Sequence, residues 1–302
     1  MVMLMIALYH VTMELRELYR YGLLVLLAIS GLSVSVLSTG TQSDYLAVHF
    51  LDVGQGDAIL IQTPDGFEVL IDGGASSAVI QQLSAQQSWS DRTIDVMIAT
   101  HPDTDHVGGL NDVLKRYDVD LIIQTQADSD SPAALAFTAA ANGEGTALQY
   151  ARAGQSIQIG ASTTIEILAP ASDTTGWRAN SASVIVRVVY GDTAFMLTGD
   201  APLEIENYLV EVYGAALRSD VLKLGHHGSQ TSTSGLFLDT VQPQFAVVSA
   251  ALDNRYGHPN QAVMQRVFDR NITSFHTGVD GTVSFYSDGG LVWPGEQKNG
   301  DQ

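Results

Sequence analysis

The stretch that decides the fold of this 302-residue chain is Met97-Ile98-Ala99-Thr100-His101-Pro102-Asp103-Thr104-Asp105-His106-Val107-Gly108-Gly109. An apolar strand ends there and is followed at once by two imidazoles and two carboxylates. Divalent metal ions bind such side chains, and a loop at the end of a strand can point them inward together. The stretch therefore predicts a metal site, against the alternative of a surface turn rich in Asp and His.

Strand-like and helix-like segments alternate on both sides of this stretch. Before it, we predict a β-meander over 46–71 and a helix over 76–87, with the strand 94–99 leading into the stretch itself. After it come helical spacing over 107–117, a strand over 119–123 and an Ala-rich helix over 128–145.

A second half of similar size follows. Its predicted strands are 155–159, 163–168, 183–189, 193–198, 220–224, 244–248 and 282–286. Helices are expected over 202–213, 235–240 and 260–269. Two meander-plus-helix halves predict an α/β fold, an αββα four-layer sandwich formed as a single domain over 45–290, with a polar tail over 291–302.

Composition narrows the possible functions. The formal net charge is −19 and the chain has no cysteine. Disulfides, Cys-ligated zinc and thiol nucleophiles are therefore excluded. A surface that binds nucleic acid over a wide area is disfavoured because an acidic surface repels polyanions. Bound divalent cations can nevertheless make the local charge positive.

The N-terminus predicts export. Arg16 and Arg20 precede an uncharged stretch from Tyr21 to Ser43. We interpret 1–20 as a cytoplasmic n-region and 21–40 as a signal anchor or signal peptide, in preference to a buried core helix. The rest of the chain would then face outward from the membrane, or be secreted if 1–40 is cleaved.

The stretch after residue 100 resembles the H-x-H-x-D-H motif of metallo-β-lactamase-fold hydrolases, with Asp103 where the second His usually stands. This Asp variant is similar to the soluble domain of ComEC-type competence proteins. Further segments that carry the likeness are 49–58, 70–74, 196–200, 221–229 and 256–259. The likeness spans 46 to about 287, without the channel portion, so the chain resembles a stand-alone version.

The resemblance implies a set of site residues. Metal ligands would be His101, Asp103, Asp105, His106, Asp200 and His226. Asp200 would bridge two ions, although Asp before Ala201-Pro202 also suits a helix N-cap. His226 is preferred over His227 as ligand because adjacent side chains at a turn diverge, which leaves His227 to act behind it.

Other residues are candidates for substrate or supporting contacts. No His lies between His106 and Asp200, and Asn180 matches the segment where one is usual. Asp57 and Asp72 would orient the ligating imidazoles or merely organise their turns. His258 is a candidate for contact with the substrate phosphate or leaving group, or for packing at a helix entry. Lys223 and Ser229 are weaker candidates for substrate contact.

Two divalent ions, Mn²⁺ and/or Zn²⁺, would supply an activated hydroxide that Asp105 orients. The resemblance implies DNA outside the membrane as the phosphodiester substrate, with a separate membrane channel protein as a possible partner. Two alternatives remain open. One is hydrolysis of a lactam, lactone or envelope phosphodiester, and the other is a non-catalytic module that only holds metal.

Overall fold

The computed structural model describes residues 43–88, 90–143 and 145–296. The predicted n-region and hydrophobic segment, and the last six residues of the predicted tail, lie outside these ranges. Within them, the helices are all too short or too polar to cross a membrane.

Eight strands form the first sheet, in the order β15-β14-β1-β2-β3-β4-β5-β6. Its strands are β1 (Leu46–Phe50), β2 (Ile59–Gln62), β3 (Glu68–Ile71), β4 (Thr93–Ala99), β5 (Asp118–Gln124), β6 (Ala147–Tyr150), β14 (Val283–Ser287) and β15 (Val292–Pro294). The pairs from β3 to β6 are parallel and the others antiparallel.

Seven strands form the second sheet, in the order β13-β12-β11-β10-β9-β8-β7. They are β7 (Ser156–Ile159), β8 (Thr163–Ala169), β9 (Ile185–Tyr190), β10 (Thr193–Leu197), β11 (Val221–Lys223), β12 (Phe245–Val248) and β13 (Thr273–His276). The strands from β10 to β13 run parallel.

The helices of the described ranges cover the outer faces of both sheets. On the first sheet lie α1 (Ala78–Gln86), α2 (Thr104–Val107), α3 (Leu110–Leu114) and α4 (Pro132–Gly143). On the second lie α5 (Leu203–Tyr213), α6 (Gly235–Val241) and α7 (Gln261–Phe268), and the one-turn α8 (Thr277–Asp280) follows β13.

In the inner part of the sheets both faces are buried, which explains why strands such as β10 and β12 are almost continuous apolar runs. In β2, Ile59 and Ile61 pack between the sheets while Leu60 packs against the outer helices. Phe195 and Phe285, from opposite sheets, are in edge contact in the central layer. This arrangement confirms the predicted αββα sandwich.

Two local expectations are corrected. The helix predicted over 107–117 is interrupted: α2 ends at Val107 and α3 spans only Leu110–Leu114, and between them the backbone of Gly109 approaches Gly73 and Ser76 too closely for a Cβ. The tail predicted from 291 begins with β15, where Trp293 packs on Tyr45 and Tyr286. Apolar contacts at the sheet edge thus hold Val292–Pro294 in a strand, although the polar residues around them disfavour one.

Candidate metal centre

The loop after β4 brings its ligand-type side chains to one edge of the sandwich. His101 and His106 are fully buried, whereas the side chains of Asp103 and Asp105 are 43% and 28% exposed. Gly56 packs against this loop: its φ is +121°, and a Cβ there would overlap the Asp105 carbonyl oxygen. The neighbouring Asp57 N–H donates to that same oxygen at 3.2 Å.

Asp200 follows β10 and does not cap a helix. Helix α5 begins at Leu203, with Pro202 at the N-cap position and no side-chain cap. The buried Asp200 carboxylate instead faces the imidazoles, which favours the ligand interpretation over the capping one.

Four imidazoles surround that carboxylate. The Nε2 atoms lie 3.4 Å (His106), 3.5 Å (His227), 3.6 Å (His226) and 3.8 Å (His101) from an Asp200 oxygen. Two ligand atoms bound at about 2.1 Å to one tetrahedral ion lie about 3.4 Å apart. The spacing therefore fits ligands that share metal ions.

Unpaired buried atoms support the same conclusion. Nε2 of His101, His106 and His227 and Oδ1 of Asp200 are buried without a hydrogen-bond partner in the described part of the chain. Buried polar atoms are normally paired, and each exception needs an explanation. A divalent cation satisfies these lone pairs together, so the donor set fits metal binding.

Asp72 fixes the orientation of two rings. Its Oδ2 accepts from His106 Nδ1 at 2.7 Å and from the Thr100 hydroxyl at 2.7 Å. Because that hydroxyl donates to Asp72, it must accept from His101 Nδ1, which lies 3.0 Å away. Both rings thus carry their proton on Nδ1 and present Nε2 to the centre.

His227 is oriented in the same way from the other sheet. Its Nδ1 lies 2.8 Å from the Ser249 carbonyl oxygen and 3.3 Å from Asp57 Oδ1. The buried Lys223 ammonium holds Asp57 at 2.5 Å and donates to the Gly199 carbonyl at 3.0 Å. Lys223 is fully buried, so the expected substrate contact is corrected to a supporting one behind the ligands.

The charges at the centre favour ionised carboxylates. Burial acts to raise the pKa of Asp200, but His227, His106 and His101 hold it well below its ordinary value. Burial likewise opposes ionisation of Asp57, yet Lys223 keeps its pKa lowered.

The same carboxylates act on the rings. Burial works to lower the pKa of His227, but Asp200 and Asp57 raise it to about 9. The pKa of His106 is also raised, by Asp200 and Asp72 against the effect of burial. The centre therefore attracts positive charge, and a metal ion can take the place of these protons.

The histidine pair differs from expectation. His226 and His227 both have left-handed backbone angles, with φ of 50° and 55°, and this tight turn brings both rings toward Asp200. His227 is the buried member and groups with Asp105 and His106, whereas the His226 side chain is 29% exposed. The expectation that His226 alone ligates assumed diverging side chains, which this turn does not produce.

Weaker candidates lie at the mouth of the centre. Asn180 Nδ2 is 3.3 Å from His226 Nδ1, and the His258 ring lies 5.5 Å from the His226 ring. Ser229 is buried and reaches Thr231, whose hydroxyl is 3.2 Å from His226 Nδ1. These three therefore surround His226 and do not enter the buried cluster.

Two contributors were missed from the sequence. Thr100 orients His101, and the main-chain carbonyl of Ser249 orients His227. Thr100 stands directly before His101, so its place at the strand end was a usable signal. The Ser249 carbonyl, directly after β12, could not be predicted, because a main-chain contact does not depend on the type of residue that makes it.

The family model described as the Metallo-beta-lactamase superfamily matches residues 51–251. ComE operon protein 3 of Bacillus subtilis is 28% identical over 79% of this chain and 32% of its own length. Competence protein ComA of Neisseria gonorrhoeae is 32% identical over 79% of this chain and 32% of its own length. The chain thus spans about a third of these relatives.

Among solved structures, the metallo-beta-lactamase fold protein YhfI from Bacillus subtilis is similar in fold. The TM-score is 0.54 at 14% identity, with 83% of this chain and all of that chain covered. At this identity the likeness shows the fold alone.

Proposed function

This chain belongs to the Metallo-beta-lactamase superfamily, and from that premise we propose that it is a binuclear metal-dependent phosphodiesterase that acts on DNA outside the membrane. The observation that carries the proposal is the set of buried, unpaired imidazole nitrogens around Asp200. They form a preorganised cradle for cations, and the competence proteins among its relatives supply the link to DNA.

We assign the ligands to two positions that share Asp200. The first would be held by His101, Asp103 and His226, and the second by Asp105, His106 and His227. His226 then occupies the role left open by the missing His between His106 and Asp200. Each position offers two imidazoles and two carboxylates, a mixed set that suits Mn²⁺ or Zn²⁺.

Bound ions would supply a water-derived nucleophile at neutral pH and charge stabilisation for a phosphodiester transition state. Asp105 would orient that nucleophile; in support, its Oδ2 lies 3.4 Å from His227 Nε2 and its side chain reaches solvent. The interaction with His227 and the positive charge of His106 hold the pKa of Asp105 below its ordinary value despite burial, so the carboxylate stays ionised.

His258, at the mouth of the centre, would contact the substrate. Burial, followed by the nearby His226 and His227, lowers its pKa, so the ring is neutral near pH 7. A neutral imidazole can donate one hydrogen bond to a phosphate oxygen and accept another. Its role would be to orient the phosphodiester in front of Asp105.

We place this activity outside the cytoplasmic membrane because basic residues precede the uncharged segment at 21–43. A separate channel protein for DNA is the partner that this location suggests. Fractionation of expressing cells tests it: protease added outside intact cells should degrade the chain, and full protection would contradict the proposal.

The net charge of −19 favours one competing proposal, hydrolysis of a small envelope phosphodiester, because long polyanions are repelled. The discriminating experiment gives the metal-loaded protein labelled single- and double-stranded DNA, a phosphodiester chromogen and a β-lactam. DNA cleavage that is lost in Asp105→Ala supports the nuclease. Cleavage of the chromogen alone supports the small-substrate enzyme, and metal uptake without turnover supports a binding module.

A further inference from the structure

Three side chains, His258, Tyr256 and Arg255, lie in series between the metal centre and solvent, and we call them the ladder. The His258 ring lies 5.5 Å from His226 and 6.4 Å from His227. Tyr256 stacks on His258 with centroids 5.8 Å apart and ring planes inclined by 21°. The Arg255 guanidinium lies 4.9 Å from the centre of the Tyr256 ring. A single ring, His258, therefore separates Tyr256 from the metal cradle.

The loop that carries the ladder is held rigidly. Asn254 Oδ1 accepts from the backbone N–H groups of Tyr256 and His258, at 3.2 and 3.0 Å. Its amide nitrogen donates to the Ala251 carbonyl at 2.9 Å and to the His258 carbonyl. The loop end is fixed to the histidine turn, where Asn260 N–H donates to the Gly228 carbonyl at 2.9 Å. Loop and cradle are thus positioned as one unit.

The outer end of the ladder is free to bind. Tyr256 is 52% exposed, so its ring does not pack in the core. Arg255 donates to the Tyr256 hydroxyl at 2.7 Å, and its guanidinium makes no ion pair within 4 Å among the described residues, although the charge of Asp105 acts on it from farther away. The net charge of the chain is −19, so a cation without a carboxylate partner near the metal centre is notable. Arg255 can bind an anion there, and the exposed ring of Tyr256 beside it can bind a planar group.

We propose that Arg255 and Tyr256 form a platform for a nucleobase of single-stranded nucleic acid, next to the phosphate held at the metal centre. The inference rests on the proposed function and names the part of the substrate that the platform reads. Every base has a π-face, so stacking on Tyr256 is sequence-tolerant and independent of the repulsive net charge. Arg255 would meet the adjoining backbone phosphate. Duplex DNA presents no free base face here, so the platform favours single strands.

The test compares two dye-labelled strands of equal length, an oligodeoxyadenosine and an oligomer of abasic sites, by fluorescence anisotropy. Ca²⁺ replaces the catalytic ion, because it neutralises the carboxylates, and gels check that the strands stay intact. We expect the full chain to bind the adenosine strand about tenfold more tightly, the size of one aromatic–base stack. Tyr256→Ala should bind both strands alike, whereas Tyr256→Phe should keep the preference.

Phe268→Ala is the matched control, since Phe268 is also exposed, at 73%, but lies at the end of α7 and outside the ladder. It should keep the full preference for bases. Equal binding of the two strands by the unmodified chain, or an unchanged preference in Tyr256→Ala, overturns the platform. Failure of the proposed function looks different: no strand is cut with Mn²⁺ or Zn²⁺, while the base preference and its loss in Tyr256→Ala persist.

Discussion

Replacing Lys223 by Met should destabilise the protein strongly, although Lys223 touches no solvent. Its ammonium lies 2.5 Å from Asp57 and 3.8 Å from Asp200, and all three side chains are buried. Removing one partner of such a pair leaves an uncompensated buried charge, at a cost of about 3–5 kcal/mol. The loss should be greatest without metal, because the carboxylates of the centre then have fewer cations near them.

The assay is urea unfolding followed by circular dichroism, in chelator and again with Mn²⁺. The control is Lys115→Met, which removes an exposed lysine paired with Asp112 and should cost less than about 1 kcal/mol. If Lys223→Met proves too unstable to purify, the double variant with Asp57→Asn should recover stability because it removes the orphaned charge as well. A Lys223→Met protein as stable in chelator as the unmodified chain refutes the reasoning.

Three further outcomes are expected. His227→Ala should lose one ion per chain and His226→Ala should weaken the other, measured by metal analysis after dialysis; equal loss in both would contradict the assignment to two positions. Asp72→Asn should lower metal affinity about 10–100-fold, because His106 loses the acceptor that orients it, and calorimetric titration measures this. In metal-free protein the raised pKa of His227, about 9, stabilises the fold fully below its unfolded pKa near 6.5. The free energy of unfolding should therefore fall between pH 6.5 and 9, and a constant value over that range would show that His227 is already neutral there.

The fold was predictable because both faces of the inner part of its sheets are covered, so the strands there stand out as apolar runs between Gly, Pro and Asp. The short strand Ala147–Tyr150 escaped prediction because it lies at an edge with three exposed residues of four. At the metal centre, His101 and His106 were readable because ligand-type residues directly follow a buried strand.

What the sequence could not reveal depends on backbone geometry. The sharing of roles between His226 and His227 follows from two consecutive left-handed residues, which neither side chain favours by itself. The support of His227 by a main-chain carbonyl is likewise set by strand order in the second sheet. Lys223 stood within an apolar strand, and its burial became interpretable only once Asp57 was seen to reach it from the opposite sheet.

The central claim, a two-ion phosphodiesterase, is tested most directly by counting ions and activity on one sample. Chelated protein is titrated with Mn²⁺ or Zn²⁺, and ions bound per chain are measured together with the rate of single-stranded DNA cleavage. We predict that cleavage appears as occupancy rises from one to two ions per chain and is absent throughout in Asp105→Asn. Full cleavage at one ion or none, or no cleavage with both positions filled, would contradict the account.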